Sequence, residues 1–219
     1  MTAFGDFAPL CTNTPSYPWC NLFYRQLQRN ASQILTGPSA TPASAPVGIN
    51  PKCGIPRLNH DGSISNVANI AACGVSVLFV ALLIVLCNSR KAAVCRIELR
   101  SFLTLYLLTL PLQLLSTGAL LAQGSTALVV LTAVHAGMVA ALFWTLLANA
   151  IVATQVVEDG TLSSLIPFGI FTILFLGVTT YFSLDVGLGV TELIRGVSTP
   201  PEALKNIPLV VLTCVWPAA

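Results

Sequence analysis

From Ser101 to Val157 the chain runs 57 residues without one Asp, Glu, Lys or Arg. About 20 apolar residues cross a ~30 Å hydrocarbon core, so this stretch is roughly twice the length of one crossing. Lipid offers no partners to backbone amides and carbonyls, and only elements that satisfy them internally survive there. The stretch therefore predicts two membrane helices joined by a short hairpin, with Gln123-Gly124-Ser125-Thr126 supplying the turn. The fold class that follows is all-α: a polytopic membrane helix bundle.

Composition supports this and removes several functions. Charged residues make up 8% of the chain, far below the roughly 25% of soluble domains, and hydrophobic residues 55%. A net charge of +2, dispersed along the chain, does not suit a nucleic-acid partner. The sequence carries no Gly-rich phosphate loop, no zinc-type Cys/His spacing and no serine-nucleophile elbow. Neither a catalytic residue, a cofactor nor a metal site is expected.

The charges divide the chain into about four complete spans and a partial fifth. Residues 1–66 form a polar, mostly irregular tail with a Pro/Ser-rich linker at Gly37–Pro46, and residues 67–219 form the transmembrane domain. Within the tail, Trp19–Leu35 reads either as a short amphipathic helix with Leu22, Phe23 and Leu27 on one side, or as a loop packed loosely on the membrane domain. No sheet signal is visible among the prolines. Spans are expected at Val67–Cys87, Ser101–Ala122 (kinked at Pro111), Ala127–Val157 and Leu162–Leu184. Asn88–Arg100 is then a loop or helix extension, and Asp159 or Thr161 caps the fourth span. The last piece, Ile207–Ala219, reaches only about 20 Å as a helix, short of a full crossing.

Basic residues set the expected orientation. Asn88–Arg100 carries four Lys/Arg in thirteen residues, the second connection none, and Asp185–Asn206 two. The positive-inside rule places Asn88–Arg100 in the cytosol and the N-terminal tail across the membrane. No apolar core precedes Arg25, so a cleavable signal is not expected and the first span directs insertion. Two features fit a lumenal tail. Asn30-Ala31-Ser32 is a glycosylation sequon, and Cys11, Cys20 and Cys53 would lie in an oxidising compartment where one pair can bridge. Spacing does not decide which pair.

Polar residues inside the third span are the other candidates. His135 and Asn149 serve either as interhelical hydrogen-bonding groups or as the lining of a transport or ligand path, with packing the favoured reading. Gly137 and Ala141 are four apart, a spacing that lets helices approach closely inside the bundle or against a transmembrane partner.

Taken in order, the motifs resemble the fungal chitin synthase export chaperone family. Phe4-Gly5-Asp6-Phe7 leads to Cys11 and Pro18-Trp19-Cys20, and Gly48-Ile49-Asn50-Pro51-Lys52-Cys53 precedes the first span. Arg96-Ile97-Glu98 with Phe102 and Tyr106 is similar to the start of the family's second span. The most specific block is the third: Gly137, Ala141, Phe143-Trp144, Leu147, Asn149 and Gln155, ending in Glu158-Asp159-Gly160-Thr161 and Ser163. The linker is longer than the family's, and Ala150–Thr154 stands where the family carries glycines and an aromatic. Family members continue through further spans, so the chain reads as a shortened member or a fragment.

The resemblance implies a multi-pass endoplasmic reticulum membrane protein with a lumenal N-terminus. It would bind a chitin synthase and support that enzyme's folding and export, and hence cell-wall chitin synthesis, without transferring sugar itself. It nominates Gly137, Ala141, Asn149, Gln155, Glu158 and Asp159 as partner-binding residues; a homo-oligomer is also compatible. The alternative is a small membrane transporter or receptor-like protein with His135 and Asn149 lining a cavity. A glycosyltransferase subunit needs a soluble catalytic domain, for which a cytosolic loop of about thirteen residues leaves no room.

Overall fold

The computed structural model describes residues 4–14, 17–35, 44–45, 48–51, 54–58, 64–89, 96–117, 120–191 and 204–216. Its elements are α1 (Ala8–Asn13), α2 (Cys20–Asn30), a 3₁₀ turn (Ser32–Ile34), β1 (Ser44–Ala45), β2 (Ile55–Pro56), α3 (Val67–Ser89), α4 (Arg96–Ser116), α5 (Thr126–Ala153), α6 (Leu162–Leu188) and α7 (Ile207–Val210), which runs on into a π turn at Val211–Val215. Helices α3 to α6 are each long and apolar enough to cross a membrane, and the architecture is an all-α polytopic bundle.

Helix α5 is the axis of the bundle. It packs along α6 on one side and α4 on another, while α3 leans mainly on α4. Small side chains explain the central position: Ala133, Ala136, Gly137, Ala140 and Ala141 are all fully or nearly fully buried and allow neighbouring backbones to come close. Its start is well defined. The Ser125 hydroxyl accepts from the Leu128 amide at 3.3 Å, satisfying one of the free N–H groups of the first turn.

The N-terminal segment is a lid on one end of this bundle. Leu22, Phe23 and Leu27 fall on one side of α2 and are at most 1% exposed, which chooses the amphipathic helix over the loose loop. Burial of each such side chain is worth about 1.5–3 kcal/mol. They share one core with Phe7, Cys11 and Trp19, with Val129, Ala133 and Ala136 of α5, and with Val186 and Leu209 further on. Backbone pairing fastens the lid: the Phe7 amide donates to the Leu204 carbonyl at 3.0 Å, and the Asn206 amide to the Gly5 carbonyl at 3.1 Å. Cys11 and Cys20, both buried, are disulfide-bonded with Cα atoms 5.5 Å apart. Cys53 and most of the linker lie outside the described residues.

Several boundaries differ from the sequence expectation. Helix α4 starts at Arg96 rather than Ser101 and ends at Ser116 rather than Ala122, because its charged first turn is helical and the later apolar residues belong to the connection. It runs through Pro111. Helix α5 stops at Ala153, before Val157, where Gln155 takes a left-handed φ of 59° and its amide closes on the Val152 carbonyl. Helix α6 continues to Leu188, so Asp185 lies inside it. There its Oδ1 accepts from the Thr191 amide at 2.5 Å and from the Thr191 hydroxyl at 2.9 Å, holding the turn beyond the helix. A minimal antiparallel ladder, Ser44 opposite Pro56 and Ala45 opposite Ile55, forms in the tail despite the prolines; Pro56 sits at its end, where a ladder tolerates a missing N–H.

Candidate functional site

Each end of the bundle is closed by a polar cluster, and the two use different chemistry. At the lidded end Asn21 of α2 reaches inward. Its amide donates to the Ser116 carbonyl at the end of α4 (2.6 Å) and to the Thr132 hydroxyl of α5 (3.3 Å). The Ser116 hydroxyl lies 2.9 Å from His135 Nδ1, and the Trp19 ring lies 5.3 Å from the imidazole, centre to centre. His135 is thus held between the lid and α4. Nearby, the Tyr17 hydroxyl lies 3.7 Å from Cys214 Sγ. Burial pushes the Tyr17 phenol up, with Cys214 adding to the effect, so Tyr17 remains neutral across the physiological range.

The opposite end is organised by Glu98, which is not among the nominated partner-binding residues. It sits in the first turn of α4 and is fully buried. Its Oε1 accepts from the Gly160 amide and from the Ser164 hydroxyl, both at 2.9 Å. These groups belong to the turn that opens α6, where free N–H groups and the helix dipole favour a carboxylate. Gly160 has φ 68°, a backbone conformation only glycine adopts readily, and this aims its N–H at Glu98. Asn149 of α5 completes the latch by donating to the Glu98 carbonyl (3.3 Å) and to the Thr145 carbonyl (2.7 Å). Glu98 Oε2 is buried with no hydrogen-bond partner among the described residues.

A signal for Glu98 exists in the sequence. Arg96 and Arg100 lie two residues away on either side, which on a helix puts both on the opposite face, where they do not pair with it. A carboxylate so placed needs a partner from another element. Two separate motif blocks, Arg96-Ile97-Glu98 and Glu158-Asp159-Gly160-Thr161, meet in space through this one side chain.

The other nominated residues fall into two groups. Gly137 and Ala141 are buried; a Cβ on Gly137 would collide with the Thr180 hydroxyl and sit 2.6 Å from the Leu176 carbonyl oxygen, so this glycine lets α6 cross α5. Gln155, Glu158 and Asp159 are exposed beside the latch, with Asn149 half-buried above them. Thr161 takes the N-cap position of α6 but its side chain caps no amide; it donates instead to the Glu158 carbonyl at 2.9 Å. Asn30 is exposed at the end of α2. Among the described residues no group of three or more His, Cys, Asp or Glu side chains is placed to hold a metal.

Four membrane-length helices among the described residues, two internal polar latches and a disulfide-bonded lid define the class: a polytopic helical membrane protein whose polar residues hold helices together. The comparisons make this specific. A family model described as chitin synthase export chaperone matches residues 3–219, and the chain belongs to that family. It is 29% identical over 197 residues to a chitin synthase export chaperone of Chaetomium globosum, covering 87% of this chain and 55% of that protein. Proteins of the same name from Candida glabrata (30% over 169 residues, 74% and 52% covered) and Gibberella zeae (29% over 198 residues, 88% and 55% covered) are similar to it as well. The chain spans about half the length of these curated relatives. No solved structure matches it.

Proposed function

We propose that this protein is an endoplasmic reticulum membrane chaperone that binds a chitin synthase and supports its folding and export, and so cell-wall chitin synthesis. The match of the family model across residues 3–219 carries this reading. The client-facing surface in this proposal is the exposed Gln155–Asp159 segment at the latch end, next to Asn149. Gly137 contributes by letting α6 pack closely behind it, and Ala141 is buried one turn further along α5. The lid faces the lumen and the latch end the cytosol. The basic connection before α4, the disulfide between Cys11 and Cys20, and the exposed Asn30 of the sequon support this orientation.

The transporter alternative loses its main support, because His135 is occupied by Ser116 and Trp19, and Asn149 by Thr145 and Glu98. Fungal cells lacking their own family member provide the test. Expression of this chain is expected to move a tagged chitin synthase from the endoplasmic reticulum to the cell surface. A synthase that stays behind while the protein is abundant and folded would refute the role. A reporter sequon placed near Ser44 should be glycosylated; its absence in a translocation assay would reverse the orientation.

A further inference from the structure

A narrow ribbon of two paired segments leads into α3, and its polarity is the reverse of what water selects. Arg57 pairs antiparallel with Ser65, and the Leu58 amide donates to the Ile64 carbonyl at 3.4 Å. Side chains alternate between the two faces of such a ladder. One face carries Ile55 and Ser65, both buried, and Arg57, which is half-buried. The other carries Pro56, Leu58 and Ile64, all exposed, with Leu58 64% and Ile64 53% accessible. In this register Leu58 and Ile64 stand opposite each other. A ribbon with one face in water turns its polar side chains outward. Here two of the three inward positions are polar and none of the outward ones is, the pattern of strands whose outer face meets lipid.

The place of the ribbon in the chain puts that face at the bilayer boundary. Ser65 and Asn66 run into α3 without a linker, and the Ile70 amide donates to the Asn66 carbonyl at 3.2 Å as the helix opens. The 23 residues of α3 reach about 35 Å, slightly more than a ~30 Å hydrocarbon core, so Val67 lies close to the core's edge. Ile64 is three residues earlier, at most about 10 Å of extended chain. The headgroup layer beyond the core is itself roughly 5–8 Å deep. Exposed apolar side chains also continue from the helix to the ribbon: Leu78, Val75 and Val67 of α3, then Ile64 and Leu58.

We propose that Leu58 and Ile64 form an interfacial anchor, inserted among lipid acyl chains beside the start of α3 in the leaflet at the lidded end. Its partner is the apolar boundary of the bilayer and not a headgroup of particular charge, because the outward face carries no charged side chain. The anchor is independent of client binding. Hydroxyl-radical footprinting of the full chain, one copy per lipid nanodisc, tests it. A phosphatidylcholine with a photoreactive group high on its acyl chain gives a second readout. Leu10 of the lid, 38% exposed, is the reference. By exposure alone Leu58 would be oxidised faster than Leu10. The anchor predicts several-fold slower oxidation of Leu58, together with lipid adducts at Leu58 or Ile64. Leu58→Asn with Ile64→Asn should remove those adducts and leave the ones on Leu78. Oxidation of Leu58 as fast as Leu10, or faster, would overturn the proposal. So would protection of Leu58 without lipid adducts, which would mean that protein and not lipid covers this face.

Discussion

Helices α3 and α5 look alike in composition and meet opposite fates. Over its most apolar stretch α5 is 56% buried and α3 only 11%, although α3 is the more hydrophobic of the two. In lipid, apolar character does not drive helices together, since the tails are as apolar as leucine. What draws α5 inward is small side chains at the crossing with α6 and polar side chains that bond across to Asn21, Ser116 and Glu98. Helix α3 presents bulky residues such as Val75, Leu78, Phe79 and Val85 to its surroundings. Polar ties join it to α4 near its two ends: Asn69 donates to Thr117, just past the end of α4, and Arg100 donates to Asn88.

The largest effect expected from this contrast comes from one substitution made on each helix. Gly137→Leu drives a side chain into the backbone of α6 and should cost at least the ~1–3 kcal/mol typical of overpacking. Gly74→Leu on α3 has nothing within 4 Å to meet and should stay within about 0.5 kcal/mol. Thermal unfolding in detergent, followed by tryptophan fluorescence, measures both; equal shifts would break the comparison.

Glu98→Ala comes next. It removes two charge-assisted bonds at the start of α6 and should destabilise by about 3 kcal/mol. Glu98→Gln keeps an accepting oxygen, and the atom it alters, Oε2, has no partner among the described residues. The loss should therefore be about 1 kcal/mol, chiefly the charge at the helix terminus. A glutamine variant as unstable as the alanine one would mean that the carboxylate does more than cap α6.

Replacing Cys11 and Cys20 by alanine should cost about 2–3 kcal/mol for a loop of this size. The loss should appear in the lid before the bundle, so limited proteolysis is expected to cut near α2 while α5 and α6 remain intact. Simultaneous cleavage of both would show that lid and bundle unfold as one. The smallest effect is that of Asn149→Leu. It removes a 3.3 Å contact to Glu98 and a bond within its own helix, and a shift of about 0.6–1.7 kcal/mol in the same unfolding assay is expected.

These features were unevenly legible in the sequence. Charge-free windows located the four described helices that are long and apolar enough to cross a membrane, because lipid imposes length and apolarity directly. Ends were less accurate, since hydropathy counts a charged first turn as loop; Arg96–Arg100 was lost from α4 in this way, and Glu98 with it. Leu22, Phe23 and Leu27 marked an amphipathic α2, yet a pattern of this kind states only that one face needs cover. The cover came from Val129 and Ala133 of α5 and Val186 of α6, more than a hundred residues away. The Gly137–Ala141 spacing identified a close approach, but the neighbour, Leu176 and Thr180 of α6, became visible only in three dimensions. At the candidate site the exposed residues Gln155, Glu158 and Asp159 were nominated from motif resemblance. The buried group that shapes their turn was not, because its partners lie about sixty residues along the chain.

In the proposed function the buried latches hold the bundle while the exposed latch-end turn meets a chitin synthase. Capture of a chitin synthase from fungal membranes by the tagged chain, with and without Glu158→Lys and Asp159→Lys, tests it most directly. The unmodified protein should capture the synthase, and the charge-reversed protein, equally helical and equally abundant, should lose most of it. Equal capture by both would move recognition elsewhere, and no capture by either would contradict the account.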